Sequence, residues 1–420
     1  MRTRAKVSWS EASARRMRRQ FLTAPAPAGT PVAEVVGAML GTHAQVLSAA
    51  EMSVGVRAEG VTRSDVRAAL WGDSGDGGGR LSSADQRERS SADRESRSAE
   101  GPSPECPSLV KTHGPRGTVH LLPASELPLW TSALSAIPSG ASPHAPDVRL
   151  TDEQADEVVA AIADALDGNL LTIDELNDEV VARTGSWAGD LVMPAFQGMW
   201  PRWRQVMHRA GLRGALCFGP NRGRKVTYTR PPRFEPLAPD EALAALVRRY
   251  LRAYGPATPQ HFAKWAAAQR SWALGLFSSL AAAGEIEEVD FEGAEGPAWV
   301  VAGDTEFPDE PVRGVRLLPY FDAYAIAAQP RETLFPGTAY ERALAGGQAG
   351  NYPVLLVDDV VAGVWHQRRQ GRRTTVTVEP LGRLPAAQQR ELAERVERVG
   401  ETLEAKPELV VGKVTAGPHA

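Results

Sequence analysis

The chain has 420 residues, 43% hydrophobic and 23% charged, with a net charge of −4 at neutral pH, which describes an ordinary globular protein of about three domains. Its two cysteines, Cys106 in a polar stretch and Cys217 in the apolar ALCF, cannot staple so long a chain and point to a reduced, cytoplasmic protein. The longest apolar runs (AIADAL, YAIAA, VLLV) are too short to span a membrane, and MRTRAKVSW lacks the apolar core of a signal peptide.

In chain order, SEASARRMRRQFL reads as a first helix with Ser8 or Ser10 at its N-cap. A second begins at Thr30-Pro31, with an apolar stripe of Val35, Val36, Met39 and Leu40. Ser48 to Glu51 has the capping-box spacing for another helix, and Thr62 to Asp65 for a shorter one. Residues 72–108 hold almost no large apolar side chain and read as a disordered insertion. LVKTH and TVHLL then alternate like strands around Gly114-Pro115-Arg116-Gly117. Short helices followed by a two-stranded wing make a winged helix.

The pattern recurs twice. Thr151–Gln154 and Thr172–Glu175 open two helices, PRWRQVMHRAG supplies a third, and ALCF with NRGRKVTYT supplies a wing. DEALAALVRRYLRAYG, a helix capped at Thr258-Pro259, and SWALGLFSSLAAAG precede the hairpin EIEEVDF/AWVVAG. Residues 315–420 read as β-rich through VRLLPYFDAYAIA, YPVLLV, VVAGVWH and RTTVTVEP, with a helix from about 386 to 404. The expected fold class is α+β, mainly α, with winged helices over 1–150, 151–238 and 239–314 and a hairpin-rich region over 315–420.

Basic residues cluster in 1–22, 222–233 and 366–373, so a mildly acidic chain can still present a basic face. Tandem winged helices with basic wings point toward DNA, although such modules also bind proteins. Between the second and third helices of the first unit stands THAQ. In a helix, positions two apart lie about 200° apart around the axis, whereas in an extended connector they point the same way. His43 and Gln45 therefore form either a satisfied connector or a pair that holds a water.

THAQVLSAAE, RGTVHLLP, GLRGALCFGPNRGRKVTY, YLRAYGPATPQHFAKW and LLPYFDAY, five separated blocks in one order, resemble the AlkZ/YcaQ-like winged-helix DNA glycosylases. The similarity runs from about 8 to 385, omitting the insertion. It implies three winged helices in a C-shaped arrangement around duplex DNA and excision of N7-alkylated guanine, bulky adducts and interstrand crosslinks included. The family's catalytic motif falls on His43, Ala44 and Gln45. Its common form begins with glutamine, so His43 places the chain in a branch resembling self-resistance enzymes against trioxacarcin-type alkylators. His113 stands where the family has an aromatic residue, usually Trp.

The implied chemistry is hydrolysis. Guanine alkylated at N7 is already cationic and leaves neutral, so the protein has chiefly to hold a water beneath C1′. A glutamine carbonyl and a histidine nitrogen suit that task. No lysine occurs between Lys6 and Lys111, so a Schiff-base lyase step from this segment is not expected. No cofactor or metal is expected, because no HExxH or CxxC occurs.

Candidate contacts to the DNA backbone are Arg116 at the first wing, Arg222, Arg224 and Lys225 at the second, and Arg368, Arg369, Arg372 and Arg373 at the late hairpin. Asp322 and Tyr324 are candidate cleft residues. The expected partner is double-stranded DNA bearing an alkylated guanine, with no membrane partner, for a monomer associated with the nucleoid. The competing class is a non-catalytic winged-helix DNA binder, a regulator or a protein that shields lesions.

Overall fold

The computed structural model describes residues 4–72, 107–138, 140, 144–195, 198–344 and 346–417. The insertion expected over 72–108 lies outside the described residues except at its two ends.

Local capping chemistry sets several of the helix starts. Ser8 opens Trp9–Arg19: its hydroxyl accepts from the Glu11 N–H while the Glu11 carboxylate accepts from the Ser8 N–H. The same reciprocal box opens Arg63–Trp71 at Thr62, Asp152–Ala165 at Thr151, Ile173–Thr184 at Thr172 and Pro259–Ala266 at Thr258. Two expected starts are corrected. Pro31, not Thr30, is the N-cap of Val32–Ala38, and the Thr30 hydroxyl instead bonds the Pro27 carbonyl. Helix Leu47–Gly55 begins one residue before Ser48 with no side-chain cap. Glu51 is buried in that helix and pairs with Arg67 at 2.7 Å, so the spacing was that of a cap but the carboxylate was taken by a tertiary partner.

The hairpins form as the alternation predicts. Leu109–His113 pairs with Val119–Pro123, Cys217–Arg222 with Lys225–Thr229, and Ile286–Phe291 with Ala298–Val301, all antiparallel. They do not remain separate wings. Lys111 pairs with Phe218, joining the first two hairpins in a six-stranded sheet. Thr42–His43 adds to one edge of that sheet and Leu171–Thr172 to the other. Lys6–Val7 runs parallel to Asp290–Phe291, so the N-terminus completes the third hairpin's sheet. Strands this short carry too little periodicity to be legible beforehand.

The C-terminal region is less purely β than expected. Val315–Leu318 is a strand, but the following DAYAIA folds as the helix Ala323–Ala327, because Asp322 caps it by accepting the Tyr324 N–H. Short helices Arg331–Leu334 and Thr338–Ala343 follow. The long hairpin Val360–Gln370/Arg373–Pro380 and helix Ala386–Leu403 match the expectation, and Lys406–Val411 closes the five-stranded sheet in parallel with Arg373–Pro380. Among the described residues, no helix is long and apolar enough to cross a membrane.

Packing across the chain fixes the THAQ connector. Arg398, from helix Ala386–Leu403, donates to the carbonyls of Gly55, at the end of Leu47–Gly55, and of Val61. The Tyr254 hydroxyl donates to the Met39 carbonyl at 2.6 Å, tying the long helix Pro239–Tyr254 to the end of Val32–Ala38. The turn that follows needs Gly41 at φ +81°, where a Cβ would also come within 2.7 Å of Leu122.

Candidate active site

His43 sits on a two-residue strand opposite His120, and the Ala44 N–H continues the pairing to the Val119 carbonyl at 2.7 Å. The connector is extended at Thr42 and His43, but Gln45 lies in the bend that follows and is not among the residues that line the cleft of His43, so the structure does not bring the pair together there. Ala44 between them is fully buried. His43 is 8% exposed and faces a cleft of about 340 Å³, while Gln45 is exposed.

The His43 ring packs between two others. Phe321 lies against it with ring centroids 4.4 Å apart, and His120 meets it edge-on at 5.4 Å. Its Nδ1 is buried without a hydrogen-bond partner. Burial, with the nearby Arg116 cation second, lowers its pKa to about 4. The imidazole is therefore neutral at physiological pH. His120, wholly enclosed, is pushed well below the usual histidine value, again chiefly by burial. Its Nδ1 donates to the Thr118 carbonyl at 2.8 Å, which leaves Nε2 unprotonated. Gly114 makes room for that ring: a Cβ there would lie 2.8 Å from it.

Sequence reasoning missed the rest of the cleft. His261 and Lys264 reach it from helix Pro259–Ala266, Phe321 from the turn before Asp322, and Arg331 from a short helix. The Thr258 N–H donates to Nδ1 of His261, and burial lowers this histidine's pKa to about 4 as well. Lys264 is partly desolvated, which lowers its pKa. The scarcity of lysine around THAQ did not extend to the folded cleft, because Lys264 arrives from far along the chain. QHFAKW stood within a block of resemblance, but no local spacing marked its lysine as facing His43.

The other candidates divide. Arg116 is not a free wing-tip cation: it donates to the Trp265 carbonyl at 2.8 Å and lines the same cleft as His43. Arg222 is held by Glu175 at 2.7 Å and by the Leu170 carbonyl, and Lys225 by Asp174 at 2.8 Å. Arg224 is exposed in the turn between the strands and has no ion pair among the described residues. Arg368, Arg369, Arg372 and Arg373 are all exposed around the late hairpin's tip. Of these, Arg369 bonds the carbonyls of Gly371 and Leu403. From the basic run over 1–22, Arg15 and Arg16 are buried and Arg19 pairs with Asp304 at 2.6 Å, so that run is largely internal structure.

Asp322 and Tyr324 do not line the cleft. Asp322 is fully buried in a two-pronged ion pair with Arg57, at 2.7 and 2.8 Å, and also accepts from the Ser53 hydroxyl. Tyr324 is enclosed in the apolar core beside Leu318 and Phe335, and burial pushes its phenol up to about 12. Their neighbour Phe321 is the residue that faces His43. His113 is buried beside Phe218, ring centroids 5.8 Å apart, and burial lowers its pKa to about 4.

The family description "DNA glycosylase AlkZ-like" matches residues 105–402. The chain is also 31% identical, over 373 residues, to an interstrand DNA cross-link repair glycosylase of Streptomyces sahachiroi, an alignment that covers 86% of this chain and 88% of the relative. Its structure is similar to that of the Streptomyces sahachiroi DNA glycosylase AlkZ, with a TM-score of 0.71 at 28% identity, covering 97% of this chain and all of that one. The chain belongs to the AlkZ-like DNA glycosylases and is a hydrolase of that kind.

Proposed function

We propose that this glycosylase removes N7-alkylguanine from duplex DNA, including bulky and cross-linked adducts, and that His43 and Gln45 place the attacking water. The observation that carries this reading is a buried His43, packed against Phe321, in a cleft lined by Arg116, Lys264 and Arg331. The similar Streptomyces sahachiroi enzyme is named for interstrand cross-link repair, which supports the extension to cross-links.

A histidine with a pKa of about 4 is neither a general acid at neutral pH nor a strong base. Both properties suit a cationic leaving group. The alkylated guanine departs neutral without a proton, and the oxocarbenium-like sugar is electrophilic enough to accept a water that is merely oriented. An imidazole nitrogen can accept that water's hydrogen bond, while the exposed Gln45 amide contacts the water or the adjoining backbone. Unmodified guanine, which must leave as an anion or be protonated, gains little from such a site. Selectivity follows from the same charge state.

In this reading the three helix-and-hairpin units over 1–150, 151–238 and 239–314 act as winged helices around the duplex. The late hairpin, with Arg368, Arg372 and Arg373 exposed and without ion pairs among the described residues, probes the groove near the lesion. A role in self-resistance to a DNA-alkylating natural product fits the histidine-led motif.

The test uses labelled duplexes carrying N7-methylguanine, a bulky N7 adduct or an N7-linked cross-link, with release of an abasic site as the readout. Excision from one or more of these, lost in His43→Ala while DNA binding persists, is the expected result. Efficient release of an uncharged adenine or pyrimidine lesion, with no release from any N7-alkylguanine, would overturn the assignment.

A further inference from the structure

The cleft around His43 is lined by cations and, among the described residues, by no carboxylate: Arg116, Lys264 and Arg331 all face it. Arg331 is only 6% exposed, and it donates to the carbonyls of Ala325 at 2.5 Å and Ile326 at 2.7 Å, not to an acid. Its Nε is buried without a partner. Arg116 is likewise held by a single backbone carbonyl, that of Trp265. The buried Arg16 is bonded, among the described residues, to the carbonyls of Gly255, Pro256 and Gln329. Glu332, exposed in the adjoining groove with Lys264, acts on Lys264 and Arg331 through its charge but forms no ion pair with either among the described residues.

Buried guanidiniums usually have a carboxylate, as Arg57 has Asp322 in this same protein. A cluster left without one is costly in the free enzyme and would repel both a cationic guanine and an oxocarbenium-like sugar. Something anionic must enter the cleft with the substrate. A phosphodiester is the anion that DNA carries, and two guanidiniums with an ammonium at the rim match its oxygens.

We propose that Arg116, Lys264 and Arg331 bind one phosphodiester of the lesion-bearing strand, and that this phosphate, instead of a protein carboxylate, supplies the negative charge facing the reacting sugar. The proposal rests on reading this cleft as the place where the glycosidic bond breaks. The substrate then completes the electrostatics of the site: the cations are neutralised only when DNA is seated, and the anion they hold lies beside C1′. Lys264 and Arg331 act as positioning residues, with no proton transfer or covalent step assigned to them.

The experiment replaces single phosphates on either side of an N7-methylguanine with uncharged methylphosphonates, scanned one at a time in an otherwise normal duplex. Single-turnover excision and equilibrium binding are measured for wild type and for Lys264→Ala, whose exposed side chain can be removed without emptying the core. One phosphate beside the lesion should stand out, its neutralisation slowing wild-type excision by about 10- to 100-fold, as loss of a charge-assisted contact does. At that position the effect should shrink in Lys264→Ala, because two changes that break one contact are not additive. Equal small losses at every phosphate, or full additivity with Lys264→Ala, would overturn the proposal. If wild type excises nothing even from the unmodified duplex, the proposed function fails, and the same scan read as binding still decides whether one phosphate is held.

Discussion

The ring of His43 lies 4.4 Å, centroid to centroid, from that of Phe321, two residues more than 270 positions apart in the chain. This contact joins the THAQ connector to the turn before Asp322 and contributes to the burial that keeps the imidazole neutral. Its consequences can be measured through both activity and stability.

Because His43 has a pKa of about 4, excision should not show the fall near pH 6.5 expected of an ordinary histidine. The rate of single-turnover excision should stay level from pH 8 down to about 5 and decline only below that. A rate that halves near pH 6.5 in wild type would refute a neutral, desolvated His43 as the working form.

Stability should begin to fall at a higher pH than activity does. His43, His113 and His261 each have a folded pKa of about 4, below the unfolded value of 6.5. Between those values the unfolded chain binds more protons than the folded one, so stability is full above about pH 6.5 and is lost as pH falls toward 4. Each histidine contributes at most about 1.4 kcal/mol per pH unit in that window. Thermal unfolding scans at pH 7.5 and 5 should show a clear drop in Tm, and a smaller drop in His113→Asn, provided that variant folds.

Replacing His43 with alanine should lower the excision rate by about 10²–10⁴, with binding to lesion-free duplex little changed. His43→Gln should recover part of this loss, since an amide oxygen can still accept from water. Gln45→Ala should lose activity on the same scale. Gel-based cleavage of abasic product separates these outcomes, and a fully active Gln45→Ala would remove that residue from the water site.

Asp322→Ala should destabilise the protein by about 3–5 kcal/mol, because it leaves Arg57 buried without its partner. Both side chains are fully buried, and the pair ties the turn just after helix Leu47–Gly55 to the segment bearing Phe321. Chemical denaturation gives the number. A neutral effect would mean that the pair is not enclosed as described.

The late hairpin and the second wing should separate in salt titrations. Arg368→Ala, Arg372→Ala or Arg373→Ala should each reduce the slope of log affinity against log salt by about 0.9, the signature of one lost phosphate contact. Arg222→Ala and Lys225→Ala should change it less, since Glu175 and Asp174 already hold those cations. A larger change at Arg222 than at the hairpin would shift the DNA path toward the second wing.

The sequence by itself determined most of the local elements and pointed to His43, which the structure places in a cleft. Capping boxes at Thr62, Thr151, Thr172 and Thr258 and the strand alternation of LVKTH and RTTVTV are properties of a few adjacent residues, so they survived folding unchanged. Of the THAQ connector, the extended conformation expected for it is found at Thr42 and His43 but not at Gln45. Only the tertiary structure decided which charges are free. Ser48–Glu51 lost its cap to Arg67, Asp322 was taken by Arg57, and Arg222 by Glu175, because an ionic side chain pairs with whatever partner packing brings, at any sequence distance. The same holds for the cleft. Arg116, Lys264, Phe321 and Arg331 meet His43 through burial and long-range packing, forces that leave no local spacing to read.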